Sequence, residues 1–259
     1  MGKRFFFGVN VGVKFANKNY AARYGGWYQD ELDYAIGPTN LNNYNTIYEM
    51  LGQNHYFVDY SGFPVVVRYR PGLLTGVTLG YKLSPEFQIG IDADFSKLKV
   101  ITGYTLNVQD PSNTTSQDQY ETGEILAEES RFNGRFNIDY KIEGGGQFNY
   151  IAGASGLFSG WRIDKHVAFF RDFQVPLHSV HNPANNFTKK TGGIGWGFGL
   201  NAGIEFRFND QIVAQIMYQP YMQRADYYNT KSTIASLGAS YIKDKFRLEH
   251  DLTLRILWK

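Results

Sequence analysis

Histidine is the residue type in this chain with the most evident capacity for chemistry, because the sequence contains no cysteine. Thiolate nucleophiles, disulfides and cysteine metal sites are therefore excluded. His178 and His181 stand in the motif HSVH, whose spacing would suit a metal only with further ligands, and His166 and Asp172 occur in the same stretch. Pro176 favours irregular backbone there, so we expect no metal site.

A hydrolytic site would need a histidine held beside a nucleophile and an acid. His250 falls within a regular strand pattern, and the stretch from Ser232 to Ser240 could bring a serine near it. An interfacial histidine without a catalytic role is the simpler interpretation. The glycine-rich segment GGIGWGFG lacks the GK[ST] ending of a phosphate loop. We therefore expect no catalytic residue and no cofactor.

A second group of chemically capable residues consists of charges placed at alternate positions between apolar side chains. In Arg131 to Tyr140 (RFNGRFNIDY) every second residue is apolar or small, and every residue between is polar or charged. Successive side chains of a strand point to opposite faces, so this segment forms a ribbon with one apolar and one ionic face. A helix would scatter the same residues around its surface.

The same alternation recurs along the chain and defines the elements that carry these charges. The predicted strands are about Arg4 to Phe15, Tyr69 to Lys82, Phe87 onward, a strand that ends in Arg131 to Tyr140, Phe148 to about Trp161, Ile194 to Arg207, a strand from Gln211, and Phe246 to Trp258. The pattern weakens from Lys97 to Leu106, and the polar run from Gln109 and the stretch Arg162 to Gly192 are predicted to be loops. Ile234 to Tyr241 could be a further strand, which leaves ten strands as an alternative to eight.

The connections between the strands follow a regular order. They are short around Ser84, Gly145 and Asp210, and long after the first, third and fifth strands. Outer-membrane barrels combine short periplasmic turns with long external loops in this way. The sequence therefore predicts an all-β protein, an antiparallel up-and-down transmembrane β-barrel that occupies residues 1–259 as one domain. In the first long connection, Leu41 to Leu51 has helical spacing and predicts a short helix over the barrel mouth.

The interior of an eight-stranded barrel is just wide enough to be filled by side chains. The residues on the charged faces of the strands are predicted to point inward: Lys14, Asp92, Asp94, Arg131, Arg135, Asp139, Glu205, Arg207, Glu249, Asp251 and Arg255. The six acids and five bases nearly cancel, as a buried ionic network requires, because an unpaired charge in a dry interior is strongly penalised. We expect these charges to plug the barrel and to prevent any sizeable steady conductance.

The opposite faces of the strands carry aromatic residues near the strand ends. They are Phe5, Phe15, Tyr81, Phe95, Tyr140, Trp161, Trp196, Phe206, Tyr218 and Trp258. Membrane barrels place aromatic girdles at both lipid interfaces. Because the facing side is charged on most strands, lipid is the simplest environment for these aromatics. We expect localisation in a bacterial outer membrane, in contact with its lipid.

Composition excludes other classes of protein. The chain has 26 basic and 24 acidic residues, so its formal charge of +2 nominates no nucleic-acid partner. A transmembrane helix needs about 20 mostly apolar residues, but the longest uncharged candidates, Gly144 to Trp161 and Thr191 to Ile204, are crowded with glycine and asparagine. The chain opens MGKRFFFGVNVG and passes directly into a strand, so export would require that a leader has been removed.

The first long connection is rich in aromatic side chains. The residues expected to bind a partner there are Trp27, Tyr28, Tyr34, Tyr44, Tyr48, Tyr56 and Phe57. Long loops without regular structure are usually functional or disordered, and a high aromatic content disfavours disorder. Tyr and Trp are also enriched in protein interfaces. The loop therefore predicts a docking surface for a protein of the cell envelope.

The segment Arg70 to Ser96 (RPGLLTGVTLGYKLSPEFQIGIDADFS) resembles the strand, tight turn and strand unit of small OmpA-like and PorT-like outer-membrane barrels, especially those of Bacteroidota. Trp258, in LTLRILWK, is similar to the aromatic that barrel-assembly machinery commonly reads near the C-terminus, although Lys259 departs from the usual aromatic end. The resemblance covers most of the chain as a pattern. It implies a barrel but not a function, because such families include channels, enzymes, adhesins and secretion-complex subunits.

Three functions remain open on the sequence. The leading hypothesis is a non-enzymatic barrel whose long loops dock a protein partner, as a subunit of a larger envelope or secretion complex. A conduit for a small solute or a hydrophobic ligand is the alternative, favoured by the glycine-lined strands. The third is a lipid-modifying enzyme that uses His250.

Overall fold

The computed structural model describes residues 4–26, 31–61, 67–112, 118–177, 192–227 and 245–258. The strands are β1 (Phe5–Phe15), β2 (His55–Asp59), β3 (Tyr69–Arg70), β4 (Gly72–Lys82), β5 (Phe87–Gln109), β6 (Gln119–Glu143), β7 (Phe148–Phe170), β8 (Phe173–Pro176), β9 (Gly192–Arg207), β10 (Ile212–Tyr227) and β11 (Arg247–Trp258). The helices are α1 (Lys18–Ala21), α2 (Glu31–Ile36) and α3 (Leu41–Met50). Among these described residues, no helix is long and apolar enough to cross a membrane.

Eight of the strands close into a ring, which confirms the predicted barrel. The order round the ring is β1, β4, β5, β6, β7, β9, β10 and β11, with every neighbouring pair antiparallel and β11 paired back to β1. Followed round the ring, the register that starts at Phe5 returns to β1 at Phe15. The strands are therefore tilted, as closure of a barrel requires. The stretch Ile234 to Tyr241 lies outside the described residues.

The short turns lie together at one end of the barrel, as predicted. In the first turn, the Ser84 hydroxyl accepts a hydrogen bond from the Phe87 amide at 3.0 Å. Gly145 and Gly146 have φ angles of 90° and 64°, a left-handed conformation that glycine adopts at little cost. In the third turn, the Asn209 side chain accepts a hydrogen bond from the Ile212 amide at 2.7 Å. In an outer-membrane barrel this is the periplasmic end.

Three central strands are much longer than predicted. β5, β6 and β7 have 23, 25 and 23 residues, whereas a strand of about 10 residues spans a bilayer. The stretch from Lys97 to Leu106, the residues from Gln119 to Glu124 and the stretch from Arg162 to Phe170 are strand, so their assignment as weak pattern or loop was wrong. Their outward faces lie beyond the lipid, where the contrast between apolar and charged faces fades.

The outer halves of these strands form a second structure above the barrel. β2 pairs with the end of β5, and β8 pairs with the end of β7. We call this sheet the outer sheet. The helices α2 and α3 pack on its inner face, and we call the outer sheet together with these two helices the cap. The shared core includes Leu32, Ile36, Ile47, Leu106 and Ile125, all fully buried. The helix predicted at Leu41 to Leu51 is confirmed as α3, and Asn40 caps its first turn by accepting from the Asn43 amide.

Candidate functional site

The barrel interior contains a continuous ionic network whose outer layer is centred on Arg131. The Arg131 guanidinium donates to both carboxylate oxygens of Glu249 at 2.9 Å and also pairs with Glu129. The Tyr69 hydroxyl donates to Glu129 at 2.9 Å, and the Tyr221 hydroxyl donates to Glu249 at 3.0 Å. Each of the two carboxylates therefore has both a cation and a neutral donor, which offsets the cost of burying it.

The middle layer joins Arg135 to carboxylates from opposite walls of the barrel. Arg135 pairs with Asp251 and lies 3.5 Å from a carboxylate oxygen of Asp94. Nη1, the terminal nitrogen on the Asp94 side, also donates to the Gln219 side-chain oxygen at 2.8 Å. The Lys14 ammonium lies 3.6 Å from Asp251, so this carboxylate is shared between two cations.

The inner layer, towards the periplasmic turns, repeats this arrangement with fewer cations. Arg255 donates to Asp92 at 2.6 Å, and Asn137 donates to the same carboxylate oxygen at 2.8 Å. Asp139 accepts from Asn201 at 2.8 Å. Asn137 thus supplements the cation at Asp92, and Asn201 supplies a neutral donor to Asp139, for which no ion pair is found among the described residues.

The network closes at its periplasmic end with one more pair and an apolar cluster. Lys141 pairs with Glu205, and Gln215 donates to Glu205 at 2.8 Å. Below them, Phe6, Val213 and Leu257 pack together and are buried. The described lumen is therefore filled along its length by side chains.

The structure brings together ten of the eleven residues predicted to point inward, and all ten are buried. Arg207 is the exception, because it is the last residue of β9 and lies exposed at the periplasmic mouth. Glu129 and Lys141 belong to the network but were missed. Both fall on the same alternation as Arg131 and Asp139, so extending the pattern by one step in each direction would have found them.

Within the described residues, the lumen contains seven buried carboxylates and five buried cations. The acids are Asp92, Asp94, Glu129, Asp139, Glu205, Glu249 and Asp251, and the bases are Lys14, Arg131, Arg135, Lys141 and Arg255. The excess of acid is balanced by donors from Asn, Gln, Thr and Tyr side chains rather than by cations. A network of this kind fixes the register of the strands, since a slip would leave charges buried without partners.

The cap covers the outer mouth of this plugged barrel. Tyr56 on β2 points into the cap core, and its hydroxyl donates to the Ile36 carbonyl at 2.5 Å. Burial raises the pKa of Tyr56 and of Tyr104 above the ordinary tyrosine value, because the charged form would lose its hydration. The contact between the helices and the outer sheet is closed to solvent, since Ile36, Leu106 and Ile125 are fully buried.

The aromatic residues predicted to bind a partner are divided by the structure. Tyr56 is a core residue of the cap, only 4% exposed, so its expected place on a docking surface was wrong. Tyr44 and Tyr48 are half-buried and pack on the ring of His55. The members with freely accessible rings are Phe57 and Tyr34, at 46% and 41% exposure. Trp27 and Tyr28 lie outside the described residues.

The histidines are not assembled into a catalytic or metal site in the part of the chain that the structure describes. No group of three or more His, Asp or Glu side chains there is arranged to hold a metal ion. His166 is buried against Tyr24 at the outer end of the lumen. His250 faces outward and lies between the rings of Phe15 and Tyr218. The HSVH motif and the stretch from Ser232 to Ser240 lie outside the described residues.

The outer wall of the barrel is apolar around its circumference. Exposed large apolar side chains occur on every strand of the ring, from Phe5 to Phe15 on β1 and from Leu248 to Leu254 on β11. Aromatic pairs mark the periplasmic edge, including Phe87 with Tyr140 and Phe7 with Trp258. An exposed apolar band of this extent is incompatible with water. The chain is therefore a transmembrane β-barrel of the kind that spans bacterial outer membranes.

A polar cleft of about 350 Å³ lies at the outer edge of the cap. It is bordered by the end of α3 and the tips of β5 and β6, and Arg171 spans it by donating to the Met50 carbonyl at 2.6 Å and to Glu121 at 3.4 Å. These contacts tie the cap helices to the outer sheet. The polar residues of the cleft thus hold the cap together, and we assign no ligand to it.

Comparisons with known proteins give matches among solved structures. No family model and no curated protein matches the sequence. Among solved structures, Neisserial surface protein A (NspA) aligns with a TM-score of 0.45 at 7% identity, over 98% of this chain and 96% of that chain. The outer membrane protein OprG from Pseudomonas aeruginosa aligns with a TM-score of 0.47 at 10% identity, over 99% of this chain and 97% of that chain.

Proposed function

We propose that this chain is a non-enzymatic outer-membrane barrel that serves as a rigid base for docking, and that it is a subunit of a larger envelope or secretion complex. The observation that carries the proposal is a pair of exposed aromatic residues on the outer face of the outer sheet, well above the lipid.

The two aromatics are Phe57 on β2 and Tyr120 on β6, which are 46% and 52% exposed. Phe57 is paired with Asn107 on β5, and Asn107 is paired with Tyr120. The two rings therefore stand in one row across three strands, about 10 Å apart at their bases. Aromatic residues held on a rigid element are the usual anchors of protein interfaces.

The filled lumen argues against the transport alternative. A conduit needs a continuous path, but the described lumen holds three layers of charged and amide side chains above the cluster of Phe6, Val213 and Leu257. The enzyme alternative rests on His250, whose described neighbours are aromatic rings rather than a nucleophile and an acid. Neither alternative is favoured by an observation of its own.

The test is a double substitution at the exposed row, F57S/Y120S, followed by purification from the native membrane. Interface anchors contribute about 2 kcal/mol or more each, so the two changes together should weaken the binding of a partner by roughly 1,000-fold and remove it from the purified barrel. Deleting the whole segment from Tyr34 to Asp59 is a coarser test, because it also removes the core of the cap.

The matched control is F87S/Y140S, an exposed Phe and Tyr pair at the periplasmic edge of the apolar band. Once inserted into the membrane, this variant should still co-purify with the partner. A photoreactive residue at position 57 should cross-link protein, whereas one at position 87 should cross-link lipid. Recovery of the same partner with F57S/Y120S as with the unchanged chain would show that docking does not use this surface.

A further inference from the structure

Four cations form a group on the outer wall of the barrel, directly above the apolar band. They are Arg68, Arg70, Lys97 and Lys99, and we call them the cation patch. All four side chains are exposed. Lys97 and Lys99 occupy the next two outward positions of β5 after Phe95, and Arg70 on β3 is paired directly with Lys99. The patch therefore begins where the lipid-facing aromatics end.

The patch has an uncompensated positive charge. Arg70 and Lys99 lie directly opposite each other on neighbouring strands. Like charges in this arrangement are destabilising. Glu128 is the residue opposite Lys99 on β6, and in the strand register it also lies opposite Lys165 on β7. Among the described residues, none of the four cations lies within ion-pair distance of a carboxylate. An external anion would relieve this repulsion.

Cations on the far side of Glu128 provide an internal comparison at a similar height. Arg162 on β7 is paired with Asp164 at 2.7 Å. Lys165 lies over the ring of Phe169, with its ammonium 5.3 Å from the ring centre. These two cations are already engaged within the protein. Of the six cations compared, those without an ion pair or a ring contact among the described residues are therefore the four of the cation patch.

The position of the patch indicates the chemistry of the anion. Leu73, level with Lys97 in the strand register, and Phe95, the outward residue below Lys97, are 65% and 44% exposed and face the hydrocarbon. Charged groups at this level meet the headgroups of the outer leaflet, where long basic side chains extend towards phosphate. Arginine can hold a phosphate through two parallel hydrogen bonds, and lysine adds a mobile point charge.

We propose that the cation patch binds the phosphate group of an anionic lipid in the outer leaflet, while the acyl chains of this lipid lie on Leu73 and Phe95. A soluble anion would find the same charges but would gain nothing from the apolar surface below them. The barrel thereby holds one lipid on a defined side, independently of whether the cap docks a protein.

The experiment uses the full chain in detergent micelles, titrated with phosphatidylglycerol and followed by native mass spectrometry of the lipid-bound state. Each cation near a membrane surface contributes about a fivefold factor in affinity, so R70Q/K99Q should require about 30-fold more lipid for half-occupancy. The matched control R162Q/K165Q removes the same charge from engaged positions and should change the half-occupancy concentration by less than about threefold. The positions in both variants lie on the outer wall, and heat denaturation checks that both remain folded.

Two further arms separate the lipid from other anions. Phosphatidylcholine, which carries a compensating ammonium, should bind no better to the unchanged chain than to R70Q/K99Q. Inorganic phosphate at millimolar concentration should leave phosphatidylglycerol bound, because it lacks the acyl chains. The proposal is wrong if R70Q/K99Q binds phosphatidylglycerol as the unchanged chain does, if the control loses the lipid equally, or if free phosphate displaces it.

Discussion

Arg135 on β6 and Arg207 on β9 both occupy inward positions of the barrel, but their surroundings differ completely. Arg135 is 2% exposed and lies between Asp251, Asp94 and Gln219. Arg207 ends β9 and is exposed at the mouth. Side-chain direction alone therefore does not decide the cost of a charge. Depth along the barrel axis decides it, because water reaches the mouth and is excluded from the middle.

This difference leads to a prediction at the residue scale. Arg135→Gln should destabilise the barrel by about 3–5 kcal/mol, because Asp251 and Asp94 lose their shared cation in a dry interior. Arg207→Gln should change stability by no more than about 0.5 kcal/mol. Urea titration of folding into lipid vesicles measures both. Equal effects of the two substitutions would contradict the assignment of Arg135 to a buried network.

Individual strands contribute space as well as charge. On β7, a Cβ atom at Gly153 would overlap a carboxylate oxygen of Asp139 and the Ile138 carbonyl, whereas a Cβ at Gly156 would have no atom within 4 Å. Gly153 faces the lumen and Gly156 faces lipid. Glycine at the inward position thus makes room for a carboxylate of the neighbouring strand, which a side chain would displace.

The prediction at the element scale compares these two glycines. Gly153→Ala should cost about 1–3 kcal/mol, since the added methyl group forces Asp139 out of its hydrogen bond with Asn201. Gly156→Ala should be neutral within about 0.5 kcal/mol. Urea titration of folding into lipid vesicles measures the free energy of unfolding of both variants. Because both glycines lie on β7, the two substitutions are compared within the same pair of neighbouring strands. A neutral Gly153→Ala would show that the network tolerates rearrangement.

At the scale of the whole molecule, the barrel is closed by several independent layers. The cap covers the outer mouth, three layers of charged and amide side chains fill the middle, and Phe6, Val213 and Leu257 close the periplasmic end. Removing one layer leaves the others in place. The described part of the molecule is consequently a barrel filled from its outer mouth to its periplasmic end.

Conductance across planar bilayers tests this description. The unchanged chain should give no sizeable steady single-channel openings, and deletion of Tyr34 to Asp59 should give none either, because the charged layers and the periplasmic cluster remain. An open porin reconstituted in the same bilayer is the positive control. Large stable openings of the unchanged chain would overturn the plugged lumen, and openings only after the deletion would show that the cap is the closing layer.

Alternation in the sequence predicts the strands of the membrane region and the face that most of their side chains present, but Trp161, predicted to face lipid, is 5% exposed and belongs to a buried cluster with Tyr24 and Tyr69. Alternation with period two is a local property, and between lipid and a charged lumen it is at its strongest, as in Arg131 to Tyr140. The eight strands and the short turns between them could be predicted for this reason, whereas α3 was predicted from the helical spacing of Leu41 to Leu51. Above the lipid the two faces become similar, so the outer ends of β5, β6 and β7 could not be recognised.

Only the tertiary structure decided which of these residues meet. Arg131 and Glu249 are far apart in sequence and join because closure of the ring sets β6 opposite β11 across the lumen. The burial of Tyr56, the row of Phe57 and Tyr120, and the pairing of Arg70 with Lys99 depend equally on strand register. Strand register and closure of the ring depend on contacts between segments that are distant in sequence. A local pattern therefore predicts which way a side chain points but not which residue it contacts.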